Sequence, residues 1–137
     1  MVTQADLPYI ISDILDSKAI QEKVKIENYV LTHSKNLRPS VTVKVSVDGE
    51  MFEEHAQGDG QYDAFMNALK KVYKKQNLVL PTLADYSVRI LRVVRPTALC
   101  ETVITWASAS REFKTRGLDS DQTVSAIKAT QKMLNLI

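Results

Sequence analysis

Two hydrophobic periods alternate along the chain, and the places where one replaces the other divide it into elements. Leu7, Ile10, Ile11, Ile14 and Leu15 recur at helical spacing behind Thr3-Gln4-Ala5-Asp6, which reads as a capping box, with Pro8 near the helix start. A first helix ending near Ser17 is predicted, with more apolar surface than one short helix uses by itself. From Val24 the period becomes two. Val24 to Val30 alternates as a half-buried strand does, and Val41 to Val47 alternates fully, with valines on one face and Thr42, Lys44 and Ser46 on the other. Asp48-Gly49 is a two-residue hairpin signal, so Glu50 to Ala56 returns as a third strand. A helix over Gln61 to about Gln76 follows. It carries Tyr62, Phe65, Met66, Leu69, Val72 and Tyr73 on one side, and Lys70, Lys71, Lys74 and Lys75 opposite or at the C-terminal end, where they complement the helix dipole.

The same order of elements then recurs. Asp85 to Val94 reads as a strand, Arg95-Pro96 as a break, Leu99 to Ala107 as a strand and Ser110 to Arg116 as another. Gly117-Leu118-Asp119-Ser120 leads into a last helix with Val124, Ile127, Met133, Leu134 and Ile137 as candidate core residues. The halves match locally: Gly58 and Gly117 precede helix starts, Asp63 sets against Asp121, and Ala68-Leu69 falls on Ala126-Ile127, a degenerate internal repeat. The expected fold is α+β: two strand-strand-strand-helix repeats, residues 23–78 and 83–137, after a helical segment over residues 1–22. Three strands and one helix leave sheet surface uncovered, so the repeats should pack on each other or on a second chain, and a homodimer is expected.

Composition narrows the classes of function. A chain of 137 residues that is 45% hydrophobic is one ordinary domain with a real core. A formal charge of +2 is too mild for nucleic acid or an anionic membrane as main partner, and the lysines from Lys70 to Lys75 read as a solvated helix face. The single Cys100 excludes an internal disulfide framework and suits a reducing compartment. Met1 to Asp6 lacks the basic and apolar regions of a secretory signal, so the cytoplasm is the expected location.

Catalytic chemistry is hard to find. His33 and His55 lie on separate predicted strands with no Cys or carboxylate at a ligand spacing, so no metal is expected, and Cys100 reads as a packed thiol. Gly58-Asp59-Gly60 lacks the third glycine and the Lys-Ser/Thr of nucleotide-binding loops, and no cofactor is expected. What remains are two helix starts, near Gly60 to Asp63 and near Ser120 to Gln122, whose backbone N–H groups suit a carboxylate. Asp63 and Asp121 there serve either as helix caps or as acceptors for an ammonium group. A free aliphatic amino acid carries both charges and also needs an apolar wall such as Leu83, Tyr86 or Ile90. The simpler alternative is that both aspartates only favour the positive helix ends.

Four blocks carry a family likeness: "GDGQYDAFMNALKK" at Gly58 to Lys71, "LADYSVRI" at Leu83 to Ile90, "TALCETVITW" at Thr97 to Trp106, and "GLDSDQTVSAIKATQKMLN" at Gly117 to Asn135. In this order, within a doubled pattern, they resemble the C-terminal regulatory domain of the 2-isopropylmalate synthase and citramalate synthase family, acetyl-CoA-dependent enzymes of branched-chain amino acid biosynthesis. "VTQADLPYIISDIL" looks like the end of the linker subdomain that precedes this domain in those enzymes. The resemblance implies that the catalytic barrel lies elsewhere in a longer parent chain, that these residues do not perform the condensation, and that the domain dimerises and binds leucine or isoleucine as a feedback effector. Carried over residue by residue, it implies an effector site with Tyr62 and Asp63 at its polar end, Gly58 and Gly60 shaping the loop, Leu83, Tyr86, Ile90 and Cys100 as apolar wall, and Gln122 approaching from the second helix start. The loop "LRVVRPT" at Leu91 to Thr97 departs from the glycine-rich turn of close relatives, and Cys100 replaces the valine common there. A purely structural dimerisation module that binds no ligand remains the alternative.

Overall fold

A computed structural model describes residues 23–91 and 98–137. The predicted first helix and most of the "LRVVRPT" loop lie outside the described residues. In chain order the elements are β1 (Val24–Thr32), β2 (Ser40–Val47), β3 (Glu50–Gln57), α1 (Gln61–Lys75), β4 (Thr82–Leu91), β5 (Leu99–Ala107), β6 (Glu112–Asp119) and α2 (Gln122–Leu134). They form two antiparallel sheets, β1-β2-β3 and β4-β5-β6, each followed by its helix. The α+β repeat predicted from periodicity is therefore the fold. Lys23–Leu80 and Pro81–Ile137 form separate compact units.

In the first unit the strict alternation of β2 does what period two requires. Val41, Val43 and Val45 are fully buried beneath α1, while Lys44 between them is exposed. Asp48 and Gly49 both take positive φ, 50° and 86°, the conformation of a tight hairpin turn whose twist matches that of the strands it joins. The far end of α1 closes in a Schellman motif: the N–H of Leu78 donates to the Tyr73 carbonyl, that of Asn77 to Lys74, and Asn77 sits at φ 57°. Tyr73 is buried near this end. Burial first, and the charge of Asp48 second, push its phenol up to about 12.

The second unit repeats this plan with a more polar core. Ile104 and Trp106 are fully buried under α2, and the Trp106 indole N–H donates to Thr115 Oγ1 at 2.8 Å. On the other face of this sheet Glu101 is buried and pairs with two arginines, Arg89 directly across the ladder at 2.8 Å and Arg116 at 3.3 Å. An uncompensated buried carboxylate would be costly, and the paired guanidinium groups offset that cost.

Three expectations need correction. The last strand runs Glu112–Asp119 rather than Ser110 to Arg116, so Gly117 lies inside it and not in a turn before the helix. Its smallness serves close packing, since a Cβ there would sit 1.9 Å from the Ser125 carbonyl oxygen. Val124 is only half-buried and Ile137 is 51% exposed, because the buried side of α2 is carried by Ser125, Ala126, Ile127, Ala129, Thr130, Met133 and Leu134. Those positions match, one for one and in spacing, the buried residues of α1: Ala64, Phe65, Met66, Ala68, Leu69, Val72 and Tyr73. Structurally, then, Asp63 corresponds to Val124, Asp121 to Gly60, and Ala68-Leu69 to Ala129-Thr130. Local identity of letters suggested another register because the two aspartates stand at different steps of their helices.

Candidate functional site

The residues singled out from the sequence divide between the units. Gly58, Gly60, Tyr62 and Asp63 belong to the first, and Leu83, Tyr86, Ile90, Cys100 and Gln122 to the second.

In the first unit the chain leaves β3 and turns tightly into α1. The Gly58 N–H donates to the Pro39 carbonyl at 3.1 Å, and a Cβ on Gly58 would sit 2.3 Å from the Ala64 nitrogen. Glycine is required there by close approach. Gly60 is different: it is the N-cap in an extended conformation (φ −136°), with nothing within 4 Å of the place a Cβ would take, so another residue would fit. Asp63, exposed in the first turn, folds back and accepts the N–H of Asp59 through Oδ2 at 2.9 Å. Asp59 in turn meets the Arg38 guanidinium at 3.1 Å on an open surface. Tyr62 stacks on Phe65 with ring centroids 6.2 Å apart, and Tyr29 of β1 meets the same ring edge-on.

In the second unit the ladder sets Leu83 opposite Trp106, Tyr86 opposite Ile104, and Ile90 opposite Cys100. Trp106, Ile104 and Cys100 alternate along β5, so all three β4 side chains stand on the face that α2 partly covers. Simple alternation would put Leu83 and Tyr86 on opposite faces. An irregularity between Leu83 and Asp85 brings them to the same one, and β1 has its counterpart between Ile26 and Asn28. The wall is open at this edge strand: Ile90 is 65% and Leu83 39% exposed. Cys100 reaches the loop before α2, with Sγ 3.8 Å from the Ser120 carbonyl.

At the start of α2, Asp121 is the N-cap and accepts the Val124 N–H at 3.0 Å. Asp119 accepts the Asp121 N–H at 2.9 Å and an N–H of the Lys128 ammonium at 2.9 Å. The backbone donor, followed by Lys128, holds the Asp119 carboxyl below its usual range. Gln122, exposed, opens the helix, and its carbonyl accepts the Ser125 hydroxyl at 2.7 Å. Sequence reasoning missed Asp119, Ser125 and Thr102, which hold this turn. For Ser125 and Thr102 the available signal was a hydroxyl side chain where the period calls for an apolar one, and Asp119 carried no such signal.

His33 lies beyond the end of β1, while His55 sits on β3 with Nδ1 3.0 Å from Thr42 Oγ1. Among the described residues no group of three or more His, Cys, Asp or Glu side chains could hold a metal ion, and no helix is long and apolar enough to cross a membrane.

A family model described as the LeuA allosteric (dimerisation) domain matches residues 1–137. The 2-isopropylmalate synthase of Aquifex aeolicus is 29% identical over 114 residues, 83% of this chain and 21% of that one. That of Heliobacterium modesticaldum is 28% identical over 136 residues, 99% of this chain and 25% of that one. The (R)-citramalate synthase CimA of Methanocaldococcus jannaschii is 25% identical over 138 residues, 99% of this chain and 27% of that one. The chain thus spans about a quarter of the length of the curated relatives it matches.

Proposed function

The chain belongs to the LeuA allosteric (dimerisation) domain family, and from that premise we propose that it is the feedback-regulatory domain of a 2-isopropylmalate synthase-type, acetyl-CoA-dependent acyltransferase. It binds leucine, or isoleucine if the parent is a citramalate synthase, and the condensation belongs to a catalytic barrel of the same parent chain. No cofactor or catalytic residue is assigned to these residues. Gly58, Gly60, Tyr62 and Asp63 are the effector residues of the first unit, and Leu83, Tyr86, Ile90, Cys100 and Gln122 those of the second.

The observation that carries the reading is the apolar line of Leu83, Tyr86 and Ile90 along β4, most open at Ile90, which lies opposite Cys100 and so at the end of the line nearest the start of α2. A branched aliphatic side chain gains by covering such a line, about 0.8 kcal/mol for each buried methylene. Leucine and isoleucine have the same number of carbons, so shape and not amount of burial separates them. Val30 and Met51, 59% and 48% exposed on the face of the first sheet away from α1, support the homodimer. Inhibition follows by linkage: an effector that prefers one arrangement of the dimer biases the attached barrel toward it.

The structural-module reading also has an observation in its favour, because Asp63 and Asp121 both already accept backbone N–H groups. Isothermal titration with leucine and isoleucine, with valine as control, separates the two readings. Saturable binding of one, lost in Asp63→Asn with the dimer intact, supports the sensor. A folded dimer that binds neither supports the module.

A further inference from the structure

The two units use different chemistry at one equivalent place in their cores. In the first unit that place holds Val41 of β2 and Ala64 of α1, and both are fully buried. The corresponding residues of the second unit are Thr102 on β5 and Ser125 on α2, also fully buried, with their hydroxyl oxygens 2.6 Å apart. Ser125 donates to the Gln122 carbonyl at 2.7 Å. A serine hydroxyl has one proton to give, so the donor in the shorter contact is Thr102. The result is a directed relay from Thr102 through Ser125 to the carbonyl of Gln122, running from the middle of β5 to the first residue of α2.

Packing alone does not call for this arrangement, since the first unit fills the same place with Val and Ala. Buried hydroxyls cost solvation that their hydrogen bonds only offset, whereas a hydrogen bond fixes direction in a way that apolar contact does not. The relay also ends where it matters for the effector reading. Cys100 lies two residues before Thr102 on the same face of β5 and reaches the Ser120 carbonyl, so strand and helix start are joined on both sides of Asp121. We infer that Thr102 and Ser125 are positioning residues for the effector site: through the Gln122 carbonyl they set the first turn of α2 against the wall formed by Cys100 and Ile90. This rests on the effector reading proposed above.

The test uses the whole chain, titrated with leucine and with isoleucine, with circular dichroism and thermal melting on each variant. Thr102→Val/Ser125→Ala copies the Val41/Ala64 pair, and Thr102→Ser keeps the hydroxyl while losing a methyl group. Positioning through the relay predicts that the double variant keeps its secondary structure yet binds the effector about tenfold more weakly, the scale of one lost hydrogen bond, while Thr102→Ser stays within about twofold of the parent. A purely structural role predicts the reverse order, because Thr102→Ser leaves a cavity and Thr102→Val does not, and that order overturns the inference. Unchanged binding by the double variant overturns it too, leaving the effector reading intact. A parent chain that binds neither amino acid overturns both. If the double variant does not fold, Ser125→Ala alone, which removes the hydrogen bond to the Gln122 carbonyl, is set against Thr102→Ser in its place.

Discussion

Gly58, Gly60 and Gly117 have identical side chains and different reasons to be where they are. Gly58 and Gly117 stand where backbone from a helix comes too close for a Cβ, whereas Gly60 has open space and an ordinary extended conformation. In sequence all of them read as punctuation near helix starts, because close approach is a property of a neighbour that lies elsewhere in the chain. Gly117→Ala is expected to cost about 3 kcal/mol or more, the upper end for overpacking, since the obstructing atoms are backbone of α2. Gly60→Ser is expected to be neutral or to stabilise by a few tenths of a kcal/mol, roughly the difference between serine and glycine at an N-cap. Urea unfolding of both variants beside the parent checks the contrast. Comparable losses in both would show that close approach is not what demands glycine at Gly117.

At the scale of elements, periodicity predicted well whatever depends on neighbours along the chain. β2, its hairpin to β3, and α1 appear within a residue or two of their predicted ends. The irregularity in β4 and the true register of the repeat were not legible, because ladder partners and the packed side of a helix are set by contacts distant in sequence. The docking of α1 has a consequence in alkaline solution. The Tyr73 phenol is raised to about 12 by burial and by Asp48, against roughly 10 in an unfolded chain. Its contribution to stability is therefore fully present below about pH 10 and is lost as the pH climbs through 12. Denaturant titrations from pH 9 upward should show this loss in the parent and a shallower one in Tyr73→Phe. Equal slopes would mean that Tyr73 is not the group being titrated.

For the molecule as a whole, the proposed regulation predicts a coupling between ligand, association and stability. An effector that binds only the folded state adds about 2.7 kcal/mol at one hundred times its dissociation constant, which for a domain of this size raises the melting temperature by several degrees. Melting with saturating leucine or isoleucine, alongside sedimentation to establish the dimer, reads both at once. A dimer whose melting temperature neither amino acid moves would be a structural module.

The amino-acid sequence by itself determined the alternation of strands and helices, their doubling, the hairpin at Asp48-Gly49 and, through the four matching blocks, the family. These are readable because each depends on spacing or on residue types adjacent in the chain. Only the tertiary structure decided that Leu83 and Tyr86 share a face, that Gly117 exists to admit α2, and that Asp121 caps a helix while Asp63 ties back to a loop. It also decided that Thr102 and Ser125, unremarkable as letters, meet in the core. Each of these turns on which atoms from distant positions come within a few ångströms, and a one-dimensional pattern does not carry that distance.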